Sequence, residues 1–349
     1  MLLPVRVRDR DLRPHKSAVA PILDARTVLT KSPWDFVSLW LKTNSTKPAQ
    51  LYWEQARRFA SASTEMPVQS APLLHYYSFM NAAKALLESK GLAFKEHHGV
   101  RSHNMRSASA VIDLTNEGVR IEKHGVLPAL ATYLGDTDPR NSYSLQEILF
   151  NLPFVHRTYC LTYKTQEDLF YAVTEPAYKF DTNTSEAYLS AYISRDFAHQ
   201  KYMKALAASF VADPGGNDPR AIRSTATARI SQAEITSSAD MASLNALHRT
   251  LRRDLHYIAG AQTLWYVKAA NVPGPARIDR SPITLTLAGM HRLSEICRYR
   301  PVELDAFLSG SENWLLTEFV LMSPEQYLDA IAAEITGHQF LLPNVRIAT

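Results

Sequence analysis

The chain has 349 residues, of which 46% are apolar and 21% are charged, a balance typical of a globular protein with a substantial hydrophobic core. This composition excludes an intrinsically disordered, collagen-like or coiled-coil protein. The 38 basic and 34 acidic side chains leave a net charge of +4, which by itself requires neither a nucleic-acid partner nor a membrane.

The first segment, residues 1–31, is a basic arm with seven basic and three acidic side chains. It lacks the apolar stretch of about 7 to 15 residues that a signal peptide needs. No window of the sequence approaches the roughly 18 uncharged apolar residues of a membrane-spanning helix. Cys160 and Cys297 form no CxxC pair and are too few for a disulfide framework. We therefore expect a cytoplasmic protein without a membrane span.

Residues 32–105 carry three helix patterns and predict the N-terminal part of a helical bundle. The first helix is expected to begin at Ser32, whose hydroxyl suits the N-cap position and is followed by a proline. The second runs from about Lys47. The third, over 70–91, is apolar on nearly every side, so we expect it to be the central helix of the bundle.

Residues 106–235 predict a mixed α/β insert, because the apolar period changes to that of strands. A hairpin is expected over 110–122, and a capping box formed by Ser144 and Glu147 opens a short helix. Segments rich in β-branched and aromatic residues predict strands at 158–163, 169–173 and 187–193. Residues 213–219, with two prolines and two glycines, predict a loop.

Residues 236–349 return to the helical period and complete the predicted bundle. Helices are expected over about 238–260, over 284–300, and from Ser323 to Gly337. The predicted fold class is therefore mainly α (α+β): a helical bundle of residues 32–105 and 236–349 with a strand-containing insert between them.

Two blocks of opposite charge lie in this last part of the chain. Residues 249–300 contain nine basic and three acidic side chains, whereas residues 301–349 contain one basic and seven acidic ones. The blocks either neutralise each other within the fold or across a homodimer interface, or the basic block holds an anionic ligand.

Three stretches of the chain carry a family resemblance. They are Ala71–Leu87 with His98, Gly99 and Val100; the hairpin region ending in His124, Gly125 and Val126; and Leu293–Pro301 with the closing segment Phe319–Ile335. In this order and spacing they resemble the YaaC-like family of bacterial proteins. The resemblance implies no particular reaction, because the family is one without an established activity.

Arg249 and His256 are separated by six residues, the upper limit of an Arg, four to six residues, His motif. The segment is thereby similar to HEPN-type helical domains, whose bundles commonly dimerise and in some members cleave RNA. This likeness implies a HEPN-like bundle, a homodimer and, by analogy, a setting in bacterial anti-phage defence.

Basic side chains cluster on the helix expected over 238–260. They are His248, Arg249, Arg252, Arg253 and His256. In a metal-independent ribonuclease, His256 would be the acid or base, and Arg249 or Arg252 would hold the phosphate, with Arg253 and His248 as further anion contacts. Alternatively, this face is solvated and pairs with the acidic C-terminal segment.

A second cluster follows the third helix. Its members are His97, His98, Arg101, His103 and Arg106. No carboxylate or cysteine stands at a spacing that completes a tetrahedral metal site, and the phosphate-loop and dinucleotide-binding motifs are absent, so we predict neither a metal nor a cofactor. The cluster either binds an anion such as nucleic acid or is a polar loop that stabilises the hairpin.

The sequence leaves open whether the protein is an enzyme. The preferred hypothesis is an accessory protein, a homo-oligomer or complex subunit, that binds a partner protein, RNA or DNA through its basic surfaces. The alternative is a HEPN-like ribonuclease that uses Arg249 and His256 across a dimer.

Overall fold

The computed structural model describes residues 1–107, 113–164, 166–215, 218–270 and 272–341. Parts of two predicted features, residues 110–112 of the hairpin and 216–217 of the loop, lie outside the described residues. Within the described ranges, no helix combines the length and the apolar character that a membrane span requires.

The elements are numbered here in chain order. The helices are α1 (Pro33–Asn44), α2 (Lys47–Ser63), α3 (Ala71–Ser89), α4 (Val126–Leu134), α5 (Leu145–Phe150), α6 (Pro153–Thr162), α7 (Gln200–Lys204), α8 (Ser238–Leu251), α9 (Pro282–Tyr299), α10 (Pro301–Ser309) and α11 (Asn313–Thr336). The strands are β1 (Leu2–Pro4), β2 (Arg6–Val7), β3 (Arg10–Asp11), β4 (Val28–Leu29), β5 (Val100–Asn104), β6 (Glu117–Ile121), β7 (Ser142–Ser144), β8 (Phe170–Asp181), β9 (Glu186–Ile193), β10 (Phe210–Ala212), β11 (Ala221–Ser224), β12 (Ala228–Arg229), β13 (Leu255–Ile258), β14 (Leu264–Lys268) and β15 (Phe340–Leu341).

The chain forms two compact units, each built from separate chain segments. The sheet unit comprises Met1–Leu29, Asp168–Pro273 and, near the end of the described chain, residues 337–341. The helical unit comprises Thr30–Glu167 and Gly274–Thr336.

The prediction of a mainly α, HEPN-like helical bundle is wrong, since the described residues form an α+β mixture with 44% helix and 19% strand. In the described part of the sheet unit, eight strands form one antiparallel sheet with the central order β10–β11–β9–β8–β14–β13. Strand β1 pairs with β8, so that Leu2 faces Asp181, and β12 pairs with β9. The N-terminal arm is therefore part of a sheet, which a local sequence period does not reveal.

Strands β4 and β15 of the sheet unit form a separate parallel pair, in which Val28 faces Phe340 and Leu29 faces Leu341. The buried ammonium of Lys16 donates a hydrogen bond to the Phe340 carbonyl at 2.7 Å. The N-terminal arm thus contacts the C-terminal segment as well as the central strand β8.

Several helix predictions based on capping are confirmed. The Ser32 hydroxyl accepts a hydrogen bond from the Asp35 amide at 3.2 Å, and α1 begins at the next residue. The capping box of Ser144 and Glu147 is present at the start of α5. Capping groups act on the nearest turn of the chain, so their effect can be predicted without knowing the tertiary fold.

Three other element predictions are wrong. The helix expected over 238–260 ends at Leu251, because the following residues gain backbone partners in β14 and form a hairpin. The strand expected over 158–163 is the end of α6, which begins at Pro153. Helix α11 begins ten residues before the expected Ser323 and includes Pro324 in its interior. In each case tertiary packing overrides the local pattern.

The third predicted helix, α3, is the centre of the helical unit, where it packs against α2, α9 and α11. Its buried side chains occupy nearly all sides of the helix, as the sequence predicts. The rings of Phe79 on α3 and Tyr327 on α11 stack with their centroids 4.2 Å apart. The small antiparallel sheet β5–β6–β7 lies against α9 in the same unit.

Candidate functional site

His248, at the end of α8 in the sheet unit, is completely buried. Its Nε2–H donates to the Ser17 carbonyl at 2.9 Å, and its Nδ1 accepts from the Tyr178 hydroxyl at 3.0 Å. Burial, with a contribution from the charge of Arg252, lowers the pKa of His248 to about 3. The imidazole is therefore neutral at physiological pH and joins three parts of the sheet unit through hydrogen bonds.

The other residues predicted with His248 lie in different surroundings. The Arg252 guanidinium stacks on the rings of Tyr257 and Trp265, 5.3 Å from each centroid. His256 is not on a helix but in β13, 4% exposed, with its ring edge against Phe170. Arg249 and Arg253 are exposed. The structure thus separates the exposed arginines of this group from its buried histidines.

The second predicted cluster is divided by strand β5, whose successive side chains point to opposite faces of the sheet. The Asn104 side chain accepts a hydrogen bond from Arg292 on α9 at 2.9 Å, so this face of the strand is turned toward α9. Arg101 and His103 occupy the opposite face, and Arg106, beyond the strand, pairs with Asp113.

Across that outer face, Arg101 on β5 stands directly opposite Arg120 on β6. Both side chains are exposed, and neither forms an ion pair with a described residue. We call the surface formed by Arg101, His103 and Arg120 the basic face of the helical unit. Like charges directly opposite each other in a sheet destabilise the pair, so this arrangement is unfavourable without an external anion.

The inner side of the same region contains four side chains that we call the Tyr76 cluster: Tyr76 on α3, His98 before β5, and His291 and Glu295 on α9. The Tyr76 ring lies 5.5 Å from the His98 ring and 5.0 Å from the His291 ring, measured between centroids. Two histidines, a tyrosine and a carboxylate from three chain segments are thus brought together beside the central helix.

The outer half of the Tyr76 cluster consists of Tyr76 and His98. The two side chains are joined by a hydrogen bond between the Tyr76 hydroxyl and Nδ1 of His98. Tyr76 is buried and His98 is exposed. Burial raises the pKa of Tyr76, whereas partial loss of hydration on the side of the His98 ring that faces the protein, with the charges of Lys84 and Arg298, lowers the pKa of His98. The hydroxyl has no other acceptor among the described residues, so it donates to Nδ1, and the neutral His98 carries its proton on Nε2.

The inner half of the cluster consists of His291 and Glu295. His291 Nδ1 lies 3.7 Å from Glu295 Oε2, and neither atom has a hydrogen-bond partner in the described part of the chain. Burial lowers the pKa of His291 to about 3. Burial also raises the pKa of Glu295. The imidazole is therefore uncharged near neutral pH, and the carboxyl is shifted toward its uncharged form.

The position of α9 depends on the buried carboxylate of Glu117, which is 1% exposed. Glu117 accepts hydrogen bonds from Arg292, in α9, and from Arg300, just beyond its end. Arg292 also donates to Asn104. This network attaches α9 to β5 and β6, and so holds the inner half of the Tyr76 cluster next to its outer half.

The basic block of residues 249–300 is divided between the two units. The arginines up to Arg253 belong to the sheet unit, and those from Arg277 to the helical unit. One pair between the blocks is Arg300 with Glu303, at 3.4 Å. Elsewhere in the acidic block, Glu303 and Glu312 line a cavity of about 190 Å³ together with Asp113.

Cys160 is buried on α6 next to His156, with Sγ 3.5 Å from Nε2. The His156 Nδ1–H donates to the Phe150 carbonyl at 3.1 Å, which leaves Nε2 to face the thiol.

Sequence reasoning identified His98 but not the other members of the Tyr76 cluster. Tyr76 has the helical spacing of a core aromatic, and His291 and Glu295 stand four residues apart on a helix whose partner was not known. One feature of the sequence could have indicated the cluster: all four of its residues lie in or next to the stretches that carry the family resemblance.

A family model described as YaaC-like Protein matches residues 23–335, which confirms the resemblance seen in the sequence. The matched range includes the basic face and the whole Tyr76 cluster. Neither the comparison with curated proteins nor that with solved structures found a match.

Proposed function

The chain belongs to the YaaC-like family, and we propose that it is a binding protein whose helical unit holds the phosphate backbone of a nucleic acid on its basic face. The proposal gives a location to the binding function expected from the sequence. It relies on Arg101 and Arg120 as the main phosphate contacts, with His103 beside them.

The proposal rests on the strand register that places Arg101 directly opposite Arg120. Both guanidinium groups are exposed, and neither forms an ion pair with a described residue. The neighbouring carboxylate of Glu122 lies 4.0 Å from His97 Nδ1. A phosphate between the two arginines would offset their repulsion and accept bidentate hydrogen bonds, a geometry for which guanidinium is well suited. Contacts of this kind bind the backbone without reading sequence.

The experiment is a titration of the full chain with a fluorescently labelled 20-nucleotide single-stranded RNA, followed by anisotropy at several salt concentrations. The double variant R101Q/R120Q should bind about tenfold more weakly or worse, and its plot of log K against log salt should be shallower by about 1.4, the value for two lost phosphate contacts. The matched control K42Q/R58Q removes two exposed charges from the helical unit and should bind as the parent does.

Equal affinity and equal salt dependence for the parent and R101Q/R120Q would contradict the proposal. Equal losses in the two double variants would also contradict it, because they would show a response to net charge rather than to the basic face. A single-stranded DNA and an RNA duplex of the same length, tested in parallel, identify the preferred nucleic acid.

The ribonuclease hypothesis stays a prediction with less support. The exposed Arg249 lies in the last turn of α8, whereas His256 is buried in a strand, so an incoming RNA has no direct access to the imidazole. RNA cleavage that is lost in H256A but retained in a folded H199A control would establish it. The cytoplasmic location, the homodimer, a protein partner and the setting in bacterial defence stay predictions as well.

A further inference from the structure

The outer face of the small sheet arranges its residues in two rows that cross the strands. In the first row, Arg101 of β5 stands opposite Arg120 of β6, which stands opposite Ser142 of β7. In the second row, His103 stands opposite Gly118. Residues two apart on a strand point to the same face and lie about 6.7 Å apart. The two rows therefore place an imidazole one step along the strand from two guanidinium groups.

The position opposite His103 has no side chain, and the packing of the sheet requires this. A Cβ atom on Gly118 would collide with the Tyr143 carbonyl of the neighbouring strand, so the close approach of β6 to β7 depends on glycine. The same Cβ position lies 3.2 Å from Sδ of Met105, whose side chain is 36% exposed. The second row therefore offers bare backbone and a thioether next to the His103 ring, a largely apolar surface beside two cations.

The His103 side chain is available to a ligand. It is half-buried, and its imidazole makes no hydrogen bond, ion pair or ring contact with any residue that the structure describes. The inner side of the same strands is used differently, since Asn104 and Glu117 both accept hydrogen bonds from Arg292 of α9. The inner side thus serves the packing of the helical unit, whereas the outer side presents groups that this packing does not use.

We propose that the basic face selects single-stranded nucleic acid, because one base stacks on the His103 ring over the bare backbone of Gly118. The inference rests on the proposed function, which supplies the phosphate contact at Arg101 and Arg120. Proteins commonly hold single strands with aromatic side chains next to cations, since every base has a flat face on which such rings stack. A duplex encloses the faces of its bases, so it reaches the arginines but not the histidine ring. His103 thereby determines the preference for a single strand.

The first test compares two labelled probes of equal charge by anisotropy with the full chain at low salt. One is a twelve-nucleotide oligothymidylate, and the other is a strand of the same length in which every nucleotide lacks its base. The parent should bind the first at least about fivefold more tightly, the gain from one stacked base. H103Q, which removes the ring, should lose this difference and keep its affinity for the abasic strand. H103F, which keeps an aromatic ring without its nitrogen atoms, should retain the difference.

The matched control is H124Q, which removes an exposed histidine elsewhere in the helical unit and should bind both strands as the parent does. Thermal unfolding of each variant checks that it is folded. Equal losses of affinity for the two strands in H103Q would overturn the inference, because they would show that the imidazole contacts the backbone. Loss of the difference in H103F as well as in H103Q would also overturn it, because an aromatic ring would then not be sufficient.

The double variant R101Q/R120Q separates this inference from the function on which it rests. It should weaken the binding of both strands, since both carry the phosphates. Weaker binding in R101Q/R120Q together with unchanged binding in H103Q would overturn the stacking and leave the proposed function standing. Binding of both strands by R101Q/R120Q with the affinity of the parent would contradict the proposed function itself.

The second test observes the stacking directly by NMR in protein labelled only in histidine, with H103Q used to assign the signal. A base stacked on the imidazole should shift the His103 ring protons upfield, because these protons then lie in the ring current of the base. A twelve-nucleotide oligodeoxyadenylate should produce this shift at saturation, and the abasic strand should not. A His103 signal that moves equally with the two strands would overturn the stacking.

Discussion

Gly99 and Gly125 lie so close together that a Cβ atom on Gly125 would stand 2.4 Å from the Cα of Gly99. Both residues have positive φ, 71° and 124°. The Leu127 amide donates to the His98 carbonyl at 3.1 Å, which joins the start of α4 to the residue before Gly99. The two His-Gly-Val triplets of the sequence therefore meet at one backbone junction directly beside His98.

The variant G99A should destabilise the protein by about 2 to 4 kcal/mol, because the new methyl group meets Pro128 and a left-handed backbone is strained in alanine. Urea unfolding measures the loss. G91A is the matched control, since Gly91 also has positive φ but a Cβ there meets nothing within 4 Å, and it should cost only about 1 kcal/mol. Equal losses in the two variants would show that strain alone, not the junction, controls the effect.

The variant E117A should lose about 3 to 5 kcal/mol of unfolding free energy, because it leaves the buried guanidinium of Arg292 without its carboxylate. The exposed Glu65 provides the control, and E65A should change stability by less than about 0.5 kcal/mol. The displaced α9 should also alter the NMR signal of His291. Urea unfolding of E117A that superimposes on that of the parent would show that the network does not hold α9.

Stability should fall in acid because of His248. Its pKa is about 3 in the folded protein and near 6.5 when unfolded, so between these values only the unfolded chain binds the proton. One such group lowers the unfolding free energy by up to about 1.4 kcal/mol per pH unit. The difference in unfolding free energy between the parent and H248Q should therefore decrease by about 2 kcal/mol from pH 6.5 to pH 5. Parallel pH profiles would exclude this linkage.

Asp136 should have the opposite pH dependence. Burial raises its pKa to about 6, above the ordinary 3.8, despite Arg280 and the Ser281 amide nearby. Its ionisation therefore disfavours folding as pH rises from 3.8 through 6, by about 3 kcal/mol in total. Asparagine can still accept the Ser281 hydrogen bond but never ionises.

We therefore expect D136N to gain stability relative to the parent between pH 4.5 and pH 8, by about 2 kcal/mol. The measurement is urea unfolding at both pH values. D305N, at an exposed position, should show no such change. A constant difference between D136N and the parent across this range would mean that Asp136 does not titrate in it.

The parts of the fold that the sequence predicts are those determined by neighbouring residues. Ser32 caps α1, and Ser144 forms a capping box with Glu147, because these bonds span three residues. Helix α3 is recognisable because a helix that is apolar on all sides can only be buried. Capping hydrogen bonds and a helix that is apolar on all sides can be recognised without knowing how the rest of the chain folds.

The eight-stranded sheet could not be predicted in the same way. Its strand β1 is only three residues long and obtains its hydrogen bonds from β8, far along the chain. The hairpin of β13 and β14 replaces the end of a helix whose leucine spacing satisfied the helical period as far as Ile258. Strand formation depends on a partner, and the partner is not visible in a local pattern.

The Tyr76 cluster likewise combines one residue that the sequence indicates with others that only the tertiary fold brings together. His98 stands out in a cluster of histidines and arginines, whereas Tyr76 has the spacing of an ordinary core aromatic. Only the packing of α9 against α3 brings His291 within 5.0 Å of the Tyr76 ring. A cluster of side chains that is assembled by tertiary contacts can be identified only once the packing of its helices and strands is known.

The parallel pairing of β4 with β15 has a consequence for the order in which the protein is completed. Val28 and Leu29 leave the ribosome early, but their partners Phe340 and Leu341 are among the last of the described residues to be made. The bond from Lys16 to the Phe340 carbonyl has to wait for the same event. Lys16 and β4 are thus synthesised before the helical unit but reach these partners only after it, so this part of the sheet unit can close only when translation has passed through the whole helical unit.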